Sequence, residues 1–96
     1  MDIQIESGNN MTCVTISGSC TIFEAADLRA RLLPLVRETL PVMVDVSAIS
    51  EIDCAGLQVL LALQKESALA LFTQPGPALQ QALDLLNLNR CFSIEA

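Results

Sequence analysis

Four consecutive residues near the middle of the chain, Asp53, Cys54, Ala55 and Gly56, have the types and order expected at the start of a helix that presents chemistry. The Asp53 carboxylate is placed to cap this helix, because it can accept hydrogen bonds from the amides of Ala55 or Gly56. The small side chains leave first-turn amides accessible, and such a helix end can hold an anion or a covalently attached phosphate. The net charge of −6 and the nearby Glu51 oppose the binding of a free anion. A capped helix start without any further role is the plain alternative.

Cys54 is the only nucleophile of this group, and it has two interpretations. A thiol at a helix N-terminus can respond to oxidants, which gives a small redox protein or enzyme acting through Cys54 as an alternative. The chain has no histidine, and neither a general base nor a second cysteine lies near Cys54 in the sequence, so a small packing residue is favoured. No metal or other cofactor is predicted, because the reduced, mostly buried cysteines expected here form no C-x-x-C pair: Cys13, Cys20, Cys54 and Cys91.

Composition narrows the classes of partner. The hydrophobic fraction is 52% but aromatic residues make up only 3%, so aliphatic side chains must build the core of one domain spanning residues 1–96. With a pI of about 4.2, the chain has too few basic residues to bind nucleic acid or anionic lipid directly. The longest uncharged apolar run, 57–63, is too short to cross a bilayer, and residues 1–4 do not resemble a signal peptide. We therefore expect a cytoplasmic protein.

The elements that must position Asp53 begin with a hairpin. Alternating apolar and polar residues predict strands at 2–6 and 12–17, joined by the turn-forming cluster 7–10. Residues 18–20 are expected to end the second strand and to open a loop.

The first helix follows this loop and is marked by a capping box. The Thr21 hydroxyl is expected to accept from the Glu24 amide, while the Glu24 carboxylate accepts from the Thr21 amide. Pro34 lies inside the helical pattern, so it should kink or shorten the helix near Leu33.

The remaining segments alternate between strand and helix. An apolar run at 42–46 predicts a buried strand that leads through a polar loop to Asp53. A second helix over 54–66, a strand within 68–73, a third helix opening at 75–77 and a short final strand at 92–94 follow. The order ββαβαβα(β) predicts an α/β domain with a mixed sheet of four to five strands and helices packed on one face.

The second helix is apolar nearly all round. Leu57, Leu60 and Leu61 lie on one face, whereas Val59 and Leu63 lie off that stripe. Either both sides are buried within the chain or part of the helix is a partner surface, and we favour a partner surface because so short a chain has little material to cover both sides.

The segment around this helix start resembles the signature of the STAS family, the sulfate transporter and anti-sigma factor antagonist domain. Residues 45–57 follow its pattern of a strand ending in D-[LV]-S and then [IV]-D-[ST]-[SA]-G-L. Residues 27–29 resemble the end of the family's G-x-[LV]-D-x(n)-L-R segment, and residues 86–92 resemble its L-G-L-x-x-x-F ending. The resemblance implies a mixed sheet with helices on one side, in agreement with the order of elements.

The resemblance also implies a non-enzymatic regulatory module that binds proteins. In switchable members of the family a serine kinase phosphorylates the residue directly before the motif glycine, which abolishes partner binding. That residue is Ala55 here, the preceding Ser or Thr is Cys54, and Thr21 stands near the family's acidic loop residue. These departures indicate that phosphorylation of the residue before the motif glycine does not control partner binding in this chain. They match members found as subunits of lipid-transport ATPase assemblies or beside chemotaxis components.

We therefore predict an adaptor that docks a protein partner through the junction before the second helix. The partner would be a serine kinase or anti-sigma factor, a chemotaxis protein, or a subunit of an ABC-type lipid transporter, and self-association into a homodimer is a further alternative. The predicted contact residues are Ser50, Glu51, Asp53, Cys54, Ala55, Gly56, Gln58 and Val59, together with Ser19, Cys20 and Thr21 of the preceding loop.

Overall fold

Strands and helices alternate in the predicted order in a computed structural model that describes residues 1–37, 40–67 and 69–88. Within these residues the order is ββαβαβα, as predicted, whereas the final strand expected at 92–94 lies outside them. The elements are β1 (Asp2–Ser7), β2 (Thr12–Cys20), α1 (Ala25–Leu32), a 3₁₀ helix (Leu33–Arg37), β3 (Val42–Ile52), α2 (Cys54–Glu66), β4 (Ala70–Phe72) and α3 (Pro77–Leu85).

The described strands form one mixed sheet in the order β1-β2-β3-β4. β1 and β2 are antiparallel and make the predicted hairpin, while β2–β3 and β3–β4 are parallel. The parallel pairing follows from the crossovers through α1 and α2, because a strand that returns after a helix can lie beside its predecessor in the same direction. The α/β fold with a mixed sheet is confirmed.

Burial is confined to one face of this sheet. Val14 of β2 pairs with Val44 of β3, which pairs with Phe72 of β4, and all three side chains are buried. Their neighbours Cys13 and Thr15, which point to the opposite face, are exposed. The helices therefore cover a single face, and the core lies between that face and the helix layer.

β2 and β3 are longer than the sequence pattern predicted. The expected loop after residue 46 is wrong, because β3 continues to Ile52 and pairs with β2, which itself continues to Cys20. Two irregularities interrupt the pairing, and Gly18 takes a φ of +83° at one of them, a value that residues with a Cβ rarely adopt. The ends of these strands carry polar side chains and show no apolar pattern in the sequence, because pairing between strand backbones does not require one.

The start of α1 differs in detail from the predicted capping box. The Thr21 amide donates to the Glu24 carboxylate at 3.0 Å, as expected. The Thr21 hydroxyl accepts from the Phe23 amide instead of the Glu24 amide, and it also contacts the Glu24 carboxylate. At its other end α1 stops at Leu32 and becomes a 3₁₀ helix containing Pro34, which confirms the predicted shortening.

α2 spans Cys54–Glu66, as predicted, but its apolar surface is largely covered by the chain itself. Leu57, Leu60 and Leu63 are each at most 3% exposed, and Val59 and Leu61 are half-buried against the core. α1 packs beside α2, so most of the apolar side chains of this helix are buried within the chain, and only part of α2 is left for a partner.

Two of the three described cysteines are exposed, contrary to the expectation that most are buried. Cys13 and Cys54 are exposed free thiols, whereas Cys20 is buried and also free. Burial raises the pKa of the Cys20 thiol, because the thiolate would lose its hydration. Cys91 lies outside the described residues.

Candidate functional site

Asp53 joins the two segments that precede α1 and α2. Its Oδ1 accepts hydrogen bonds from the amides of Ala55 at 3.0 Å and Gly56 at 3.1 Å, which confirms the predicted cap. Its Oδ2 accepts from the Ile22 amide at 2.9 Å, from a residue 31 positions earlier in the chain. A single carboxylate thus fixes the β2–α1 connection against the first turn of α2.

The hydrogen bonds to Asp53 favour its ionised form. The Ile22 amide is the largest cause, followed by the Gly56 amide, and together they hold the pKa of the Asp53 carboxyl below its usual value. The same bonds occupy the first-turn amides that an anion would need. The hypothesis that this helix end holds a phosphate therefore finds no support at the amides of Ala55 and Gly56.

Gly56 brings α2 into direct contact with the end of β2. A Cβ at this position would overlap the carbonyl oxygen of Cys20 and lie 2.9 Å from its carbonyl carbon. The backbone of Cys20 also accepts the Asp53 amide at 3.5 Å. Close packing against backbone, which cannot rotate away as a side chain does, explains why glycine stands here.

The predicted contact residues fall into two groups by exposure. Cys20 and Gly56 are buried, so they support the junction from beneath and present no side chain at its surface. The others have exposed or half-buried side chains at or directly after the ends of β2 and β3, or on the first turns of α2: Ser19, Thr21, Ser50, Glu51, Asp53, Cys54, Ala55, Gln58 and Val59.

Exposed apolar residues that the sequence reading missed flank this junction. Ile22 is 67% exposed and Phe23 is 91% exposed, in the turn held by Asp53. On the other side, Leu85 is 78% exposed and lines a hollow of about 230 Å³ together with Cys54 and Leu86. The sequence contained a signal for Ile22 and Phe23, because these two apolar residues stand directly after Thr21, before the apolar stripe of Leu28 and Leu32. We call the surface formed by Ile22, Phe23, Cys54, Ala55 and Leu85 the junction surface.

A comparison with known protein families identifies the family to which this chain belongs. The family described as "Mlab, STAS domain" matches residues 3–95, nearly the whole chain. The chain belongs to the STAS domain family. The resemblance to this family seen in residues 45–57 is thereby confirmed.

Solved structures of other proteins share the fold of this STAS domain. An anti-sigma factor antagonist from Mycobacterium paratuberculosis matches with a TM-score of 0.84 and 22% identity over 97% of this chain and 83% of its own. The unphosphorylated form of the anti-sigma factor antagonist SpoIIAA matches with a TM-score of 0.75 and 13% identity, over 99% of this chain and 89% of its own. A structure from Thermotoga maritima, described as a putative anti-sigma factor antagonist, gives 0.77 and 17% over 96% and 84%.

No curated protein sequence matches this STAS domain. Among the helices in the described part of the chain, none has the length and apolarity that crossing a bilayer requires.

Proposed function

We propose that this STAS domain is a non-enzymatic regulatory adaptor that binds a protein partner through the junction surface. The observation that carries the proposal is the combination of rigid support and apolar exposure. Asp53 fixes two chain segments with three hydrogen bonds, and Phe23 stands 91% exposed beside them. Exposed aromatic and aliphatic side chains on an ordered backbone favour binding, because little conformational entropy is lost when a partner covers them.

The identity of residue 55 supports an adaptor that is not switched by phosphorylation at that position. Ala55 has no hydroxyl group to accept a phosphate, and its half-buried methyl group adds to the apolar surface. The related fold of SpoIIAA has been solved in a phosphorylated form, with a TM-score of 0.70 to this chain. In this chain the partner would therefore bind without a phosphorylation switch at position 55.

A signalling protein is the partner class that we propose first. The anti-sigma factor antagonists among the structural neighbours support a serine kinase or anti-sigma factor, and a chemotaxis protein is a further candidate of this class. Ala55 favours a second candidate, a STAS subunit of an ABC-type lipid transport complex, because the family members with alanine at this position include such constitutive subunits. In each case the working location would be the cytoplasm.

Substitutions on the junction surface test this proposal. Tagged wild-type protein, Phe23→Asp and Ala55→Glu would be used to capture partners from an extract of the native cells, with quantitative mass spectrometry as the readout. Ala26→Glu is the matched control, because Ala26 is exposed on α1 and is not part of the junction surface. Each variant would first be checked for folding by circular dichroism.

The expected result is that one protein, enriched by the wild type and by Ala26→Glu, is lost with both junction variants. A charge placed in an apolar contact removes its desolvation gain and leaves an unpaired charge, so a loss of at least about tenfold is expected. Retention of the same partner by folded Phe23→Asp and Ala55→Glu would overturn the proposal.

A further inference from the structure

A groove of about 530 Å³ runs between α1 with its 3₁₀ extension and α2. Leu32, Leu33 and Val36 line one wall, and Val59, Ala62 and Leu63 line the other. Leu33 is 50% exposed and Ala62 is exposed at the rim, so the groove is an open trough along the two helices. Ala55 lines one end of this trough, which makes the groove continuous with the junction surface.

The two ends of the groove carry opposite charges. Arg29 lies on the α1 wall and Glu66 on the last turn of α2, and both side chains are exposed. Neither has an ion-pair partner within the described part of the chain, whereas Arg31, on the same helix as Arg29, pairs with Asp27 at 3.4 Å. In a chain of net charge −6, an unpaired arginine beside an apolar trough is a specific complement for an acidic group.

The shape of the groove suits a helix as its occupant. Along α2 the lining residues Ala55, Val59, Ala62 and Glu66 recur at helical spacing on one face. From Ala55 to Glu66 this stripe extends roughly 16 Å at the helical rise, about three turns. The small side chains of Ala55 and Ala62 allow a third helix to approach closely, and its apolar face would cover Leu33 and Val36.

A second copy of this chain does not offer such a helix among its described residues. The described helices turn their leucine stripes into their own core, where Leu28, Leu57, Leu60, Leu79 and Leu83 are all at most 1% exposed. No helix in the described part of the chain therefore offers a free apolar face of this length, which favours a different protein as the source of the occupant.

We infer that the α1–α2 groove binds an amphipathic helix of the partner, about three turns long, with an acidic residue facing Arg29 and a basic residue facing Glu66. This inference rests on the proposed adaptor function and adds the chemistry of the partner and the direction of its helix. The apolar face of the helix supplies the affinity, while the charges at the two ends of the groove set its orientation.

Selection from a display library of randomised peptides, about four helical turns long, tests the inference without knowledge of the natural partner. Wild-type protein would be the bait, and the enriched peptides would be titrated against variants by fluorescence polarisation. Ala62→Arg places a long charged side chain in the middle of the groove, and Arg29→Glu reverses one end. Lys65→Glu is the control for a change of the same charge, because the exposed Lys65 does not line the groove.

We expect the enriched peptides to share apolar residues at i, i+3, i+4 and i+7 with an acidic residue at one end. Their binding should weaken at least about tenfold with Ala62→Arg and about two- to fivefold with Arg29→Glu, the range for an exposed ion pair. Lys65→Glu should leave it within about twofold. Failure to enrich this pattern, or equal binding to Ala62→Arg, would overturn the inference.

Other occupants give different results in the same set of variants. Dimerisation of the wild type in sedimentation runs, abolished by Ala62→Arg, would assign the groove to a second copy. Binding of dodecanoate, abolished by the same substitution, would assign it to a small amphiphile. Phe23→Asp separates the inference from the proposed function, since Phe23 does not line the groove. Partner capture that Phe23→Asp removes and Ala62→Arg preserves would refute the groove and retain the adaptor.

Discussion

Gly56→Ala is the smallest change that tests how the junction is built. In an ordinary helix this substitution is favourable, because alanine has the higher helix propensity and restricts the unfolded chain. Here the added Cβ would overlap the carbonyl oxygen of Cys20 and lie 2.9 Å from its carbonyl carbon. The obstacle is the backbone of β2, so the first turn of α2 must shift to accommodate the methyl group.

The expected magnitude follows from two opposing contributions. Overpacking against a part of the structure that cannot rotate away costs roughly 3 kcal/mol, the upper end of the usual range. Improved helix propensity returns about 1 kcal/mol. The net loss of about 2 kcal/mol corresponds to a melting temperature lower by roughly 8–16 °C for a domain of this size.

Thermal and urea denaturation followed by far-UV circular dichroism would measure this loss. Ala62→Gly is the matched control, since Ala62 is exposed in the same helix and reports helix propensity alone; it should cost about 1 kcal/mol. A second readout is the rate at which a thiol reagent labels Cys54, which should change in Gly56→Ala because the first turn moves. A Gly56→Ala protein as stable as the wild type, or more stable, would refute the close packing of α2 against Cys20.

Three further predictions follow from single residues. Thr12→Val should raise stability by about 1 kcal/mol, because the Thr12 hydroxyl is buried with no hydrogen-bond partner in the described structure; unchanged or lower stability in urea denaturation would contradict it. Hydrogen bonds lower the pKa of the Asp53 and Asp45 carboxyls, so the folded state binds fewer protons there. This stabilisation is complete above the unfolded pKa of about 3.9 and is lost as the pH falls through the lower folded pKa values. In urea titrations at several pH values, the free energy of unfolding of Asp53→Asn should therefore fall less on acidification than that of the wild type. Iodoacetamide should label the exposed Cys54 no faster than the exposed Cys13 at neutral pH; a much faster reaction of Cys54 would revive the redox alternative.

The sequence pattern was most reliable where burial and capping are local. The residues of α2 and its Asp53 cap were both predicted, because a capping carboxylate and an apolar repeat act within a few residues. The shortening of α1 at Pro34 was predicted for the same reason, since a missing amide affects its own turn. The polar ends of β2 and β3 were missed, because their pairing depends on the neighbouring strand and leaves no periodic apolar signal.

The candidate site shows the same division. Local reasoning found the helix start at Asp53 and the small residues after it, but it placed Cys20 on the contact surface, and the fold buries it. It did not find Phe23 or Leu85, because exposure of an apolar residue depends on whether another element covers it. It favoured a partner surface on part of α2, although α1 packs beside that helix and most of its leucines are buried within the chain.

The sequence by itself determined the α/β order, the capped start of α2 and the STAS signature in residues 45–57, since each depends on spacing along the chain. Only the tertiary structure decided that one carboxylate holds segments 31 residues apart, that Gly56 lies against Cys20, and that Ile22 and Phe23 remain uncovered beside them. These contacts join residues distant in sequence, and the free energy that selects them comes from packing and hydrogen bonding across the whole domain.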